Sequence, residues 1–64
     1  MSGVEIADDD LRIDVYRGPR NDCAVRITHL PTGTVISVTD YETVAENEAQ
    51  ALRLLRDALD RATP

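Results

Sequence analysis

The sequence predicts an α+β fold in which a three-stranded antiparallel sheet packs against one C-terminal helix, with room for a short additional strand at the N-terminus. Alternating apolar and polar residues recur in short segments through the first part of the chain, and turn-forming residues separate these segments. The last third of the chain instead repeats apolar residues with the 3.6-residue period of a helix. Strands followed by one helix are typical of a small α+β domain.

The first ten residues form an acidic lead-in that we expect to be flexible. A short alternation, Val4-Glu5-Ile6, is the candidate N-terminal strand, and the acidic run Asp8-Asp9-Asp10 follows it. Three adjacent aspartates lack the spaced oxygen ligands and the glycine turn of a calcium loop, so we interpret them as a solvated turn. The folded domain is therefore expected over residues 11–62.

Three strands are predicted next, from Leu11 to Tyr16, from Ala24 into a turn at Leu30, and from Thr34 to Val38. Successive side chains of a strand point to opposite faces, so branched apolar residues at alternate positions define one core face. The predicted core positions are Leu11, Ile13, Val15, Cys23, Val25, Ile27, Ile36 and Val38.

Turn chemistry separates these strands. The first connection contains Gly18, Pro19 and Asp22, and the second is Leu30-Pro31-Thr32-Gly33, with Pro where φ is fixed and Gly where φ must be positive. Both connections are short, so each neighbouring pair of strands is expected to form an antiparallel hairpin.

A helix is predicted to begin near Val44. Thr43 and Glu46 have the Thr-x-x-Glu spacing of a capping box, in which each side chain satisfies a free N–H of the first turn. Glu48 interrupts the apolar face, and it lies either in water beyond the sheet edge or beside an arginine. The predicted apolar stripe consists of Val44, Ala51, Leu52, Leu54, Leu55, Ala58, Leu59 and Ala62.

Composition limits the possible classes of function. A chain of 64 residues with no Phe or Trp has a small aliphatic core, so we expect either marginal stability or a homodimer. The net charge of −5, with seven arginines against 12 acidic residues, disfavours binding to free nucleic acid through the overall field. No apolar run reaches the length of a signal sequence or membrane span, so a cytoplasmic protein without a membrane partner is expected.

The single cysteine and single histidine predict no metal site, cofactor or internal disulfide. Cys23 and His29 share a strand face but are separated by roughly 20 Å of extended chain, too far for a nucleophile and its base. We interpret Cys23 as a small apolar residue at a strand start and His29 as a residue that serves the following turn.

Two stretches of the chain carry a family resemblance, Asp10-Leu11-Arg12-Ile13-Asp14-Val15-Tyr16-Arg17 and Ala24-Val25-Arg26-Ile27-Thr28-His29-Leu30-Pro31-Thr32-Gly33. Together with the Ala-Leu-x-x-Leu-Arg character of Ala51 to Arg56, they resemble the catalytic domain of bacterial class I peptide chain release factors. The resemblance runs over nearly the whole chain and implies the small α+β sandwich of that domain. In that family, the connection between the two stretches carries Gly-Gly-Gln, which positions water against the ester of peptidyl-tRNA.

The reactive loop of that family has no counterpart in this sequence. The connection here is Gly18-Pro19-Arg20-Asn21-Asp22-Cys23, which has one glycine and no glutamine. We therefore expect no catalytic residue and no enzyme activity. The helix start, which in the family is rich in basic residues facing ribosomal RNA, here has Glu42, Glu46 and Glu48, and only Asn47 is retained in type.

Three functional hypotheses follow. The resemblance favours a non-catalytic regulator that binds the ribosome or a translation factor, whereas the acidic surface and small core favour a homodimeric interaction module without a ribosome role. An active hydrolase is the third, and it conflicts with the missing loop. The candidate residues for contacts with RNA or a partner protein are Arg12, Arg17, Arg20, Arg26 and Asn47.

Overall fold

The computed structural model describes residues 6–19 and 22–62 of the chain. A single turn of 3₁₀-helix at Asp8–Asp10 precedes the regular elements. The strands are β1 (Leu11–Tyr16), β2 (Ala24–His29) and β3 (Thr34–Val38), and the helix α1 spans Val44–Ala62. The strands form one antiparallel sheet in the order β1-β2-β3, which confirms the predicted α+β fold. Apart from Ile6, the candidate N-terminal strand lies outside the described residues.

Two hairpins build the sheet. In the first, Ile13 lies opposite Ile27 and Tyr16 opposite Ala24, and in the second Ile27 also lies opposite Ile36. Alternation of the side chains places these isoleucines on the side where α1 packs. The opposite side, called the polar face here, carries Arg12, Asp14, Tyr16, Arg26, Thr28, Val35 and Ser37.

The turn between β2 and β3 is held by the groups that its sequence predicts. Gly33 has a φ of +73°, a conformation that glycine adopts without steric cost, and its N–H donates to the His29 carbonyl oxygen at 2.7 Å. The Nδ1 atom of His29 lies 2.8 Å from Thr32 Oγ1, which in turn lies 2.8 Å from Thr34 Oγ1. The expectation that His29 serves the turn is therefore confirmed.

The helix begins at Val44, as predicted, and Thr43 is the residue before it. The N–H of Glu46 donates to Thr43 Oγ1 at 3.1 Å, which confirms one half of the capping box. The other half differs, because Glu46 Oε1 accepts a hydrogen bond of 3.0 Å from the Thr43 hydroxyl rather than from its N–H. Further along, the Asp57 carboxylate and the Arg61 guanidinium form an i,i+4 pair at 3.2 Å.

The core lies between α1 and the β2–β3 half of the sheet. Its buried apolar side chains are Val25, Ile27, Val38, Ala51, Leu55 and Leu59. Partly buried residues pack around its margin, namely Ile6, Leu11, Ile36 and Leu52. The position of Ile6 shows that the lead-in contacts the domain before the chain enters β1.

The burial of β1 is less than the sequence predicts. Ile13 and Val15 are 45% and 52% exposed, although they share a face with the fully buried Val25 and Ile27. Strands lie about 4.8 Å apart and a helix is roughly 10–12 Å wide, so a helix seated on β2 and β3 does not reach β1. The predicted core assignment of Ile13 and Val15 is therefore corrected.

The buried stripe of α1 also differs from the prediction. Val44 and Leu54 are exposed to about two-fifths, and Ala62 is exposed. Asn47 was predicted to lie outside the stripe, but it is completely buried. Glu48 is half-buried and takes part in none of the ion pairs of the described residues.

Candidate functional site

The connection between β1 and β2 occupies the position where the resemblance implies a reactive loop. Tyr16 lies opposite Ala24, so the β1–β2 ladder ends directly before Arg17 and begins again directly after Cys23. Arg17 Nε lies 3.0 Å from Asp22 Oδ1 across this loop, and both side chains are exposed. An exposed ion pair stabilises a fold little, so Arg17 can exchange this partner for another anion. Of the candidate residues, Arg20 lies outside the described residues.

Asn47 joins the end of this loop to the segment before α1. Its Nδ2 donates to the carbonyl oxygens of Cys23 at 2.7 Å and Tyr41 at 3.1 Å, and its Oδ1 accepts from the Tyr41 N–H at 3.0 Å. The Cys23 thiol also donates to the Tyr41 carbonyl oxygen at 3.3 Å. These contacts among Asn47, Cys23 and Tyr41 are called the Asn47 bridge. They connect two segments that are distant in the sequence.

The Asn47 bridge assigns an internal role to a residue proposed for RNA or partner contact. Both donors and the acceptor oxygen of the Asn47 amide are engaged, and the residue has no exposed surface for an external ligand. One sequence signal was available: Asn47, Ala51, Leu55 and Leu59 follow one another at intervals of four and therefore share a helix face. A buried amide on such a face requires hydrogen-bond partners within the fold.

Two of the candidate arginines share the polar face. Arg12 Nε and Arg26 Nε lie 3.4 Å and 3.9 Å from the same oxygen of Asp14. The Arg26 guanidinium also lies 5.7 Å from the centroid of the Tyr16 ring, within the range of a cation–π contact. Since one carboxylate faces two guanidinium groups, this cluster keeps an excess of positive charge. Arg12, Asp14 and Arg26 are called the arginine cluster here. A shallow depression is lined by this cluster and by Thr28, Leu30 and Val35.

The helical glutamates and the arginine cluster lie on opposite sides of the sheet. Glu46 and Glu48 belong to α1, which packs on the side opposite Arg12 and Arg26. The Glu46 carboxylate is also engaged with the cap of the helix. An anionic ligand on the polar face is therefore separated by the sheet from the carboxylates of α1.

Cys23 and His29 are not placed for joint chemistry. Cys23 directly precedes β2 and His29 is its last residue, and each forms hydrogen bonds with nearby groups of the fold. Within the described residues, no group of three or more His, Cys, Asp or Glu side chains is arranged to hold a metal ion. Over the same residues, no helix combines the length and apolar character that crossing a bilayer requires.

Comparison with known proteins identifies peptide chain release factors among the relatives of this chain. The chain is 53% identical to peptide chain release factor 1 of Thermobifida fusca and 44% identical to that of Clostridium beijerinckii. It is 45% identical to peptide chain release factor 2 of Renibacterium salmoninarum. No protein-family model matches the chain. The resemblance inferred from the two strand motifs is therefore confirmed by its relatives.

The matches cover most of this chain but only a small share of each relative. Each alignment includes 88% of this chain but only 17–18% of the relative, so the chain spans less than a fifth of the length of the relatives it matches. The aligned stretch is 64 residues long, but it includes only 88% of the 64 residues of this chain. The relatives therefore have residues, within the matched stretch, that have no counterpart here.

Proposed function

Because the chain is homologous to a segment of the peptide chain release factors, we propose that it is a domain related to translation termination that does not hydrolyse peptidyl-tRNA. In this proposal it acts in the cytoplasm as a regulator that binds the ribosome or a release factor. The observation that carries the proposal is the similarity over 88% of the chain, combined with a short connection at residues 17–23.

The missing chemistry supports the non-catalytic part of the proposal. In the resembling domain, Gly-Gly-Gln positions the water, whereas the glycines here are isolated and the single glutamine, Gln50, lies in α1. The pairing of Tyr16 with Ala24 and the Asn47 bridge close the base of the loop. A shared scaffold does not supply a reaction when the reacting groups are absent. We infer that the additional residues of the relatives lie in their counterpart of the connection between β1 and β2.

The exposed arginines support the ribosome as partner. Arg12 and Arg26 project from the polar face, and Arg17 lies in the loop that follows β1, with side chains that are all at least half exposed. Guanidinium groups bind phosphate oxygens in a bidentate manner, and each can exchange a weak surface carboxylate for a phosphate. A footprint of three or four such contacts gives a binding constant that falls steeply with salt, with a log–log slope of about −2 to −4.

A homodimeric interaction module is the second candidate, and the open side of β1 favours it. Ile13 and Val15 leave an apolar strip beside α1 that a monomer does not bury. Exposed apolar strips next to a free strand edge are typical of surfaces that bind another chain. This candidate needs no arginine footprint and no ribosome.

Ribosome co-sedimentation at increasing salt tests the proposal. The wild-type chain is expected to pellet with ribosomes at low salt and to be released as salt rises. The double variant Arg17→Ala/Arg20→Ala should lose association, while Arg53→Ala/Arg56→Ala, which removes the same charge from the exposed side of α1, should retain it. Equal losses in both variants would indicate a non-specific charge effect. The absence of wild-type binding at low salt would leave the interaction module as the better explanation.

A peptide-release assay on preformed termination complexes tests the non-catalytic part separately. We expect no released peptide above background when the chain is added alone. When it is added with a full-length release factor, a regulator should change the release rate in proportion to its ribosome occupancy. Turnover that persists through purification controls would contradict the proposal directly.

A further inference from the structure

Among the described residues no strand pairs with the outer edge of β1, and the backbone groups at this edge follow a defined pattern. Leu30 N–H donates to the Asp10 carbonyl oxygen at 2.8 Å, which extends the β1–β2 ladder by one pair. In an antiparallel ladder, opposed residues alternate between bonding to each other and pointing away. Arg12 and Asp14 therefore bond to β2, whereas the N–H and C=O groups of Ile13 point to the open edge. The same alternation directs the backbone groups of Val15 to that edge.

We propose that two copies of this chain pair through β1, antiparallel and about a two-fold axis at Ile13, to form one continuous six-stranded sheet. In this register Ile13 faces Ile13 of the second copy, and the two residues exchange both hydrogen bonds. Val15 N–H donates to the Leu11 carbonyl oxygen of the second copy, and symmetry repeats that bond. The Leu11 N–H is not needed, because it already donates to the Asp8 carbonyl oxygen.

Charge selects this register over its neighbour. With the axis at Ile13, Arg12 of each copy lies directly opposite Asp14 of the other, so two symmetry-related ion pairs form on the polar face. Moving the axis to Asp14 keeps the backbone bonding pattern but brings two aspartates together. Opposite charges across a strand pair stabilise it and like charges destabilise it. The order Arg-Ile-Asp in β1 is thus complementary to itself.

The apolar side of β1 fits the same arrangement. Ile13 and Val15 are 45% and 52% exposed in the single chain, on the side where α1 packs. Pairing through β1 brings both copies of these residues to the centre of the sheet, between the two helices. In the part of the chain that the structure describes, the β3 edge offers no equivalent surface, since its exposed apolar residue, Val35, lies on the polar face. This inference does not depend on the proposed role in termination.

A charge exchange tests the register by analytical ultracentrifugation. The wild-type chain is expected to be dimeric, and Asp14→Arg, which turns both ion pairs into repulsions, should raise the dissociation constant roughly tenfold or more. Because Asp14 also lies opposite Arg26 within each chain, the double variant Arg12→Asp/Asp14→Arg is compared in an Arg26→Ala background. There it restores opposite charges across the dimer axis and should return the dissociation constant to within about threefold of that of Arg26→Ala alone. Circular dichroism of each variant confirms that the chain is folded. Failure of the double variant to recover dimerisation would overturn the register.

Proline at matched positions distinguishes the two edges. Ile13 on β1 and Val35 on β3 both point their N–H groups away from β2, so proline at either site leaves the internal ladders intact. Ile13→Pro should give a monomer, and Val35→Pro should remain dimeric. The reverse result would assign the interface to β3, and a wild-type chain that stays monomeric at millimolar concentration would overturn the proposal. None of these results depends on ribosome binding.

Discussion

β1 and β2 carry the same alternation of apolar and polar residues, yet they bury it to different extents. Val25 and Ile27 of β2 are completely buried, while Val15 and Ile13, which lie directly opposite them, are about half exposed. The central strand lies under α1, and the edge strand lies beside it. Alternation therefore determines which side of a strand faces inward, and the neighbouring element determines how much of that side is removed from water.

Truncation of the two opposed isoleucines gives the largest expected effect. Ile27→Ala should lower the free energy of unfolding by about 2–5 kcal/mol, because it leaves a cavity in the closed part of the core. Ile13→Ala should lower it by less than about 1 kcal/mol, because the side chain is already half in water. Urea denaturation at low protein concentration measures both. Equal losses of unfolding free energy in the two variants would mean that α1 also covers Ile13 of β1 in solution.

Removal of the Asn47 amide should have the next largest effect. Asn47→Ala removes the amide that bonds to the Cys23 carbonyl oxygen and the Tyr41 N–H, and we expect a loss of about 2–3 kcal/mol in the free energy of unfolding. Gln50→Ala, three positions later on the same helix, is the matched control and should change stability by less than about 0.5 kcal/mol. A small effect at Asn47 would show that water replaces the amide and that the bridge is not essential.

The helix cap should have a smaller effect. Thr43→Ala removes the oxygen that accepts the Glu46 N–H, and a loss of about 1 kcal/mol is expected from thermal or chemical unfolding. Thr43→Ser keeps that oxygen and should retain most of the stability. If both variants lose the same amount, the methyl group of Thr43, rather than its hydroxyl, stabilises the helix start.

The loop ion pair should have the smallest effect. Arg17→Ala removes an exposed partner of Asp22, so the free energy of unfolding should change by less than about 0.5 kcal/mol. This result is needed for the ribosome experiment, because it separates a lost contact from a lost fold. A larger destabilisation would mean that the loop ion pair contributes to the stability of the fold, as the buried residues of β2 do.

Local patterns were sufficient to predict the elements and the turn. The predicted strand bounds and the helix start at Val44 agree with the structure, because alternation, a cap and turn residues act over a few positions. The positive φ of Gly33 and the turn role of His29 follow from the same local rules. The motifs of β1 and β2 were also enough to identify the relatives.

Features that depend on distant contacts were not predicted. The lateral position of α1, which leaves Ile13 and Val15 open, is set by packing across the whole sheet and has no signature in either strand. Asn47 was placed outside the core because its side chain is polar, and its partners are remote in the sequence or lie outside the helix. The candidate arginines could be named from the resemblance, but their shared contact with Asp14 required the folded sheet.

The Asn47 bridge makes the fold insensitive to the length of the loop that it closes. It holds Cys23 and Tyr41, and Tyr16 is held by its pairing with Ala24, so both ends of residues 17–23 are anchored without help from the loop itself. Closing a flexible loop costs only about 0.6 kcal/mol more for each doubling of its length. Segments can therefore be deleted from this hairpin or grafted into it at little thermodynamic expense, which makes it the natural insertion point of the domain for protein engineering.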